Sequence, residues 1–482
     1  MLNRITLVIG SLLISSVLMA SNASVLTLDK FVKTSLKKHP LLGSYKSGYY
    51  ASLYQQTAQR QIYDTNFFLN AYYSKGSINT FSGSFSEDTV QATGSMGLRQ
   101  KLSSVGADLE LSASHSRQLD NPSFSTFSFP DAYISTVTLS LRKSLYQNLN
   151  GLMDKYPLKT ADINGKMSEV IYHSDLQQFV GTLTQTYLEW RHRSIRHAIL
   201  NKQLSNANKQ VELMTRQYKR GSTELRELLQ AQQQEKRQQL LLLAEQQQLQ
   251  SVTRLLYYYM TGKQLPGNFT QMPENMPRYF TQKQTRQSSR QNYALSLLTL
   301  QKSLAELHRD YVKEQQKQQI DLVGSVSQTG IGTTVSESTE TISDNFSFQL
   351  GLEMGFPVLS RRLKNQTRSS ASTLEMIRLQ KEALREELAS LQSQLYETQD
   401  QLSVIATETD AFITLSEARV REESKAYNQG RLQSLYVVIQ AQNQTLSAEL
   451  QAEDVQHSLY LTKHHISLLE NDYARYYRLE EL

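Results

Sequence analysis

The sequence predicts an α+β membrane protein in which one unit, strands followed by a long helical hairpin, is used twice. Three observations carry this. From Val358 to Leu482 there is no proline and a single glycine, Gly430. The landmarks of that stretch recur earlier in the chain at a constant shift of 209. Between the helical stretches the apolar period falls from 3.6 to 2, the change that separates helix from strand.

The chain opens on a targeting segment. Arg4 supplies a positive start, Ile5 to Met19 an apolar run, and Ser21-Asn22-Ala23 a small-x-small cleavage site. Residues 1–23 are therefore expected to be a signal peptide, too short for a comfortable transmembrane helix. The 482 residues include no cysteine, which excludes a disulfide scaffold. No later stretch approaches 18 uncharged apolar residues, so no helical span is expected. Export without a helical span leaves a soluble envelope protein or a β-barrel. The net charge of +6 is slight and evenly spread, and no basic run is interleaved with aromatics, so nucleic acid is not an expected partner.

Leu26 to Arg60 reads as an amphipathic helix interrupted at His39-Pro40, with a counterpart near Gln284 to Gln318. A shift of 253 puts Pro40 on Tyr293 and Asn66 on Gln319, so both copies run from helix into strand at matching places. The first copy offers four alternating segments: Phe67–Ser74, Val90–Lys101, Asp108–Arg117 and Ala132–Leu145. The second offers two, Ile320–Thr329 and Asn345–Phe356, around a polar loop, Gly330–Asp344. In the last of these, Phe346, Phe348, Leu350, Leu352, Met354 and Phe356 share one face, opposite Ser347, Gln349 and Glu353. About ten residues, apolar on one side and polar on the other, is the pattern of a strand in a water-filled membrane barrel. A half-buried strand of a soluble sandwich has the same pattern, but a signal peptide and paired long helices favour the barrel.

The long helices follow. Leu384, Leu391, Ile405 and Phe412 recur in steps of seven with Thr398 as the gap, and Leu388, Leu395 and Leu402 form the partner row. A strict heptad makes a left-handed supercoil, and Arg361 to Tyr427 would give a rod of roughly 100 Å. Gly430 marks the turn, since glycine accepts the positive φ of a helix C-cap, and Leu432 to Tyr477 forms the return helix. Tyr187, Tyr218 and Gly221 match Tyr396, Tyr427 and Gly430, and each glycine precedes a Gln-Ala-Gln. The expected organisation is a first repeat over 24–262, with strands in 64–147 and a hairpin in 156–262. A second repeat covers 263–482, with strands in 319–357 and a hairpin in 360–480. A linker with Pro266, Pro273 and Pro277 separates the two.

Taken together, Leu26-Thr27-Leu28-Asp29 with Pro40 behind it, Gly355-Phe356-Pro357-Val358-Leu359 after the last strand, and the tips Tyr218-Lys219-Arg220-Gly221 and Tyr427-Asn428-Gln429-Gly430 resemble the TolC-type outer-membrane efflux and secretion channels. The resemblance covers the whole mature chain and implies a homotrimer in a Gram-negative outer membrane, its strands forming one shared barrel and its helices a periplasmic α-barrel. It further implies docking of the tips, Arg220, Gly221, Ser222, Gln429, Gly430 and Arg431, on a periplasmic adaptor with an RND- or ABC-type inner-membrane transporter. The periplasmic gate would then comprise Tyr218, Glu224, Glu227, Tyr427, Tyr436 and Gln440. Phe346 to Phe356 would face outer-membrane lipid.

Three departures stand out. Ser144-Leu145 occupies the place of a Pro-Leu, the first copy has four strand segments where two are usual, and Tyr436 and Ile439 stand where the family's closing aspartates fall.

No enzyme motif occurs: there is no G-x-S-x-G, phosphate loop or H-E-x-x-H. His457, His464 and His465 suggest a metal cluster, but adjacent helical residues point apart, and packing is the expected role. His192 and His197 are expected to face solvent, and Glu386-Glu387 and Glu422-Glu423 to lie on a solvated face. The tyrosines at 257–259 and 476–477 are expected to seal helix ends. No catalytic residue, cofactor or metal is expected. The function expected is a passive export duct for an efflux pump or type I secretion system; the alternatives are a structural coiled-coil protein of the envelope or a substrate-specific porin.

Overall fold

The computed structural model describes residues 26–79, 86–102, 105–122, 132–264, 292–343, 345–356, 361–429, 431 and 435–479. The expected signal segment, most of the proline linker and Gly430 lie outside these. Two compact units form, one from Gly48–Val170 with Ser296–Ala383, the other from Met1–Ser47, Ile171–Leu295 and Leu384–Leu482.

The first unit carries one six-stranded antiparallel sheet in strict sequence order: β1 (Asn66–Asn79), β2 (Ser86–Leu102), β3 (Ala107–Pro122), β4 (Ala132–Ser144), β5 (Gln319–Gly332) and β6 (Asn345–Gly355). All six expected segments are strands, and the additional pair β2–β3 is built into the middle of the sheet. Its register is uninterrupted, from Asn66↔Arg99 to Asn79↔Ser86 on one side and from Ala107↔Lys143 to Gln118↔Ala132 on the other. Because side chains alternate along every strand, that register lines up whole rows. Phe67, Leu98, Leu111, Leu139, Val326 and Phe348 are successive partners across all six strands and share one face. The opposite face carries Ser95, Ser112, Thr138, Ser327 and Ser347.

The end of the sheet from which the helices leave is tied by one knot of polar groups. Asn148 sits in the left-handed region at φ 64°, where its side chain accepts from Met153 N (2.8 Å) and donates to Asp154 (2.7 Å). Lys101 at the end of β2 pairs with the same Asp154 at 2.7 Å. Gly106, in the β2–β3 turn, has φ +62° and faces the Asn148 carbonyl so closely that no Cβ fits. Gly106→Ala is accordingly expected to cost about 2–4 kcal/mol, combining a left-handed backbone with overpacking. A lowered urea midpoint would register this; an unchanged one would mean that the turn relaxes freely.

At the other end, the segment expected to be a polar loop folds as α6 (Val335–Glu340) and a 3-10 turn, Thr341–Ser343. The sequence Thr334-x-x-Glu337 makes a capping box: Thr334 accepts from Glu337 N at 3.3 Å and Glu337 accepts from Thr333 N at 2.8 Å. The helix lies on the apolar face of the sheet, over Gly330 and Gly332, where a side chain would strike Ser338. Ser338 is fully buried and its hydroxyl meets that of Ser135 at 2.9 Å.

The helices, in chain order, are α1 (Leu28–Lys38), α2 (Pro40–Gln59), α3 (Leu152–Lys219), α4 (Leu225–Thr261), α5 (Tyr293–Gln315), α6, α7 (Arg361–Asn428), α8 (Leu435–Leu469) and α9 (Asp472–Tyr476). Both expected shifts recur in these bounds. The 68-residue α3 and α7 start and stop at the larger repeat's matching positions, Leu152 on Arg361 and Lys219 on Asn428. The second shift likewise sets the start of α2 on that of α5 and the start of β1 on that of β5. The return helix is shorter than expected. It ends at Leu469, and Asn471, at φ 57°, redirects the chain into α9.

In the second unit this redirection builds the core. Tyr473, Ala474 and Tyr477 pack with Leu28, Phe31 and Val32 of α1 and with Leu176, Val180, Leu183, Tyr187 and Trp190 of α3. The opening Leu26-Thr27-Leu28-Asp29 thereby acquires a physical account. Leu26 and Leu28 are buried, Thr27 caps α1 by accepting from Lys30 N (3.0 Å), and Tyr187 donates to the Leu26 carbonyl (2.8 Å). Asp29 accepts from Tyr476 and Tyr477 at 3.0 and 3.1 Å. Burial, together with that carboxylate, pushes the Tyr476 hydroxyl up to about 12.

Candidate functional site

Three features stand out: the two hairpin tips, a charged belt among the helices, and the two faces of the sheet.

The tips are built alike. In the first, Ser222 N donates to the Gln217 carbonyl (3.0 Å) and Gly221 N to that of Tyr218 (2.9 Å), with Gly221 at φ +69°. These are the paired bonds of a Schellman C-cap. In the second, Arg431 N donates to the Ala426 carbonyl at 2.9 Å, the equivalent bond of the second copy. Arg220, Gly221, Ser222, Gln429 and Arg431 are all exposed; Gly430 lies outside the described residues. Of the expected gate residues, Tyr218, Tyr427 and Tyr436 are 42 %, 38 % and 38 % exposed. Glu224 and Glu227 are exposed too, Glu224 paired with Arg226 at 3.4 Å and Glu227 accepting from the Thr223 hydroxyl. Gln440 edges a surface groove with Phe412, Leu415 and Arg419.

The belt was not expected. Glu453 of α8 accepts from Arg191 (3.0 Å) and lies 3.4 Å from His192 Nδ1. Arg193 of α3 pairs with Glu189 (2.7 Å) and with Glu245 of α4 (3.4 Å). Arg196 joins Glu245 and Asp454. His192 and His457 stack at 4.1 Å, and His457 lies 3.3 Å from Glu189. The His457 hydrogen bond, helped by that from Arg193, holds the Glu189 carboxyl down to about 2. His192 is thus buried rather than solvent-facing, because the charges that would drive it outward are gathered around it. The available signal was the run Glu189-Trp190-Arg191-His192-Arg193, unusually charged for a helix otherwise rich in Gln and Leu. His464 is 1 % exposed while its neighbour His465 is exposed, so adjacent histidines do point apart. Among the described residues no group of His, Asp or Glu is arranged to hold a metal, and no helix is long and apolar enough to cross a membrane.

On the sheet, Phe346, Phe348, Leu350, Leu352 and Met354 of β6, with Phe356 just beyond it, are 53–66 % exposed on one face. The opposite face is charged. Arg142 bridges Asp321 (2.9 Å) and Glu353 (2.6 Å), and Arg99 bridges to Glu110 (2.7 Å). A sheet apolar on one side and salt-bridged on the other is suited to divide lipid from water.

Comparison with known proteins agrees. Residues 103–259 match the family model described as outer membrane efflux protein. Among solved structures, the outer membrane protein VceC of Vibrio cholerae is 13 % identical, with a TM-score of 0.63 over 92 % of this chain and 96 % of that one. The CmeC outer membrane channel of Campylobacter jejuni is 11 % identical, with a TM-score of 0.64 over 92 % and 85 %. The open-state MtrE outer membrane channel of Neisseria gonorrhoeae is 12 % identical, with a TM-score of 0.63 over 92 % and 88 %. No curated protein matches in sequence. The matched segment is an outer membrane efflux protein domain, and the chain has the fold of the TolC-type channels.

Proposed function

We propose that the chain is the outer-membrane duct of a tripartite efflux pump or of a type I secretion system, working as a homotrimer. The observation that carries this is the two-faced sheet in a chain that also holds two 68-residue helices with matching tips. The strands would form a barrel shared by three copies, and the helices a periplasmic tunnel. The tips at Arg220-Gly221-Ser222 and Gln429-Gly430-Arg431 would receive a periplasmic adaptor and, through it, an inner-membrane transporter of RND or ABC type. Energy comes from that transporter; the duct supplies a wall and a gate. With Tyr436 and Ile439 where aspartates close related ducts, the gate of Tyr218, Tyr427, Tyr436 and Gln440 closes by aromatic and amide packing, assisted by Glu224 and Glu227.

Membrane fractionation tests the reading. A duct stays in the outer-membrane fraction through salt and urea washes and runs as a heat-modifiable trimer in detergent. A structural coiled-coil protein of the envelope washes out, and that outcome would reject the proposal.

The tip assignment has its own test. Around Gly221 there is open space, so Gly221→Val adds only the backbone strain of a β-branched residue at φ +69°, about 1–2 kcal/mol. Export is expected to fall several-fold at an unchanged outer-membrane level of the protein. Unchanged export in a Gly221→Val, Gly430→Val double variant would rule the tips out as the docking surface.

A further inference from the structure

Building on the trimeric duct, we propose that its membrane wall has eighteen strands, six from each copy, with β6 of one copy pairing antiparallel with β1 of the next. The partner at each open sheet edge is therefore a second copy of this chain, and β2–β3 is wall rather than plug.

The hairpin's own side chains argue this first. Phe67, Leu98, Leu111, Leu139, Val326 and Phe348 form one row, and they are 66 %, 46 %, 45 %, 46 %, 37 % and 64 % exposed. Leu98 and Leu111, the members from β2 and β3, stand in it on equal terms. A hairpin folded into the mouth would break that row. The residues that make β3 look poorly suited to lipid also find places. Asp108 and Glu110 point to the salt-bridged face, Glu110 on Arg99 and Asp108 opposite Arg142 in register. His115 is on the apolar face, but there it hydrogen-bonds Ser135 (2.8 Å), which in turn meets Ser338 of the overlying α6.

Closure argues it second. An open edge has no water to satisfy its N–H and C=O groups in lipid, so a spanning sheet must close. Six strands are too few, since about eight already leave an interior only wide enough for side chains. An even number of strands in strict meander leaves β1 and β6 running in opposite directions, the polarity needed for β6 to accept β1 of a neighbour. Strands about 4.8 Å apart and tilted about 40° give an eighteen-stranded ring a backbone diameter of about 35–40 Å, against about 25 Å for twelve. Widening the ring from twelve to eighteen strands roughly doubles the enclosed cross-section, which would admit bulkier cargo at this level of the duct.

The full-length protein in detergent provides the test. Native mass should give three copies, and end-on electron micrographs the wider of the two rings. Cysteines at Met96 and Leu111 should react with a lipid-soluble maleimide and resist a membrane-impermeant one, while those at Ser95 and Ser112 should do the reverse. Deleting Val90–Arg117 should narrow the ring to the twelve-stranded diameter and lower the size limit for neutral polymers entering from outside. A full-length trimer with the narrow ring, or Met96 and Leu111 labelled from water like Ser95, would overturn the eighteen-stranded wall while leaving the duct intact. A monomer absent from the outer membrane would instead overturn the duct, and two copies closing twelve strands would overturn the count.

Discussion

Lowering the pH from 7 to 4 is expected to cost about 3 kcal/mol of stability through one histidine. His464 is 1 % exposed, its Nδ1 hydrogen-bonded with the Tyr473 hydroxyl at 2.7 Å. Burial, with a smaller contribution from His465, pulls its pKa in the fold down to about 3. Unfolding returns it to about 6.5. Between those values the unfolded chain binds a proton that the folded chain refuses, so stability falls as pH drops through this window and is fully restored above it. Its hydrogen-bonded neighbour cannot offset the charge. Burial pushes the Tyr473 phenol up, so it stays neutral and offers no counter-ion. Urea midpoints at pH 7, 5.5 and 4 would measure the slope. His464→Gln, which can still hydrogen-bond Tyr473, should flatten it by about one proton; an equal slope in both proteins would assign the acid sensitivity elsewhere.

Removing one carboxylate from the belt should have a comparable effect. Glu453 is 8 % exposed and is the acceptor for Arg191, whose side chain is 14 % exposed. Without it Arg191 is left over the Tyr460 ring, 5.4 Å from the centroid. Breaking a buried pair by deleting one partner typically costs about 3–5 kcal/mol, because the other charge stays buried. Glu453→Ala is expected to fall in that range by thermal or urea unfolding. Arg191→Met combined with Glu453→Leu should recover most of it, since the penalty lies in the stranded charge rather than in the lost attraction. If the double variant is no better than Glu453→Ala, the belt holds the helices by some other means.

Much of the fold was legible because its elements are long and locally specified. A heptad that continues without glycine or proline from Arg361 admits little but helix, and alternation such as Phe346 to Phe356 admits little but strand. Repetition sharpened both, since a shift of 209 or 253 fixes bounds that a single copy leaves vague. What stayed hidden depended on partners far away in sequence. His192 reads as a surface residue until Glu453 and His457, both on the last long helix, arrive beside it. The break after Leu469 has no proline or glycine to announce it, because an asparagine takes the left-handed conformation there. The loop after β5 is polar in composition, and only the bare backbone at Gly330 and Gly332 lets it fold down as a helix. The tips were legible as turns, since Gly221 is the residue such a cap needs.

The placement of α6 bears on which parts of the chain are free to vary. The connection between β5 and β6 folds back onto the apolar face of its own sheet, held by the Ser135–Ser338 contact and by two glycines too small to push it off. It therefore leaves the salt-bridged face of the sheet uncovered. Substitutions at its exposed positions, such as Thr339 and Glu340, can therefore change charge without disturbing the Thr334–Glu337 cap or the buried Ser338. Variation is confined elsewhere, since any side chain at Gly330 or Gly332 would strike the Ser338 backbone and lift the helix off the sheet.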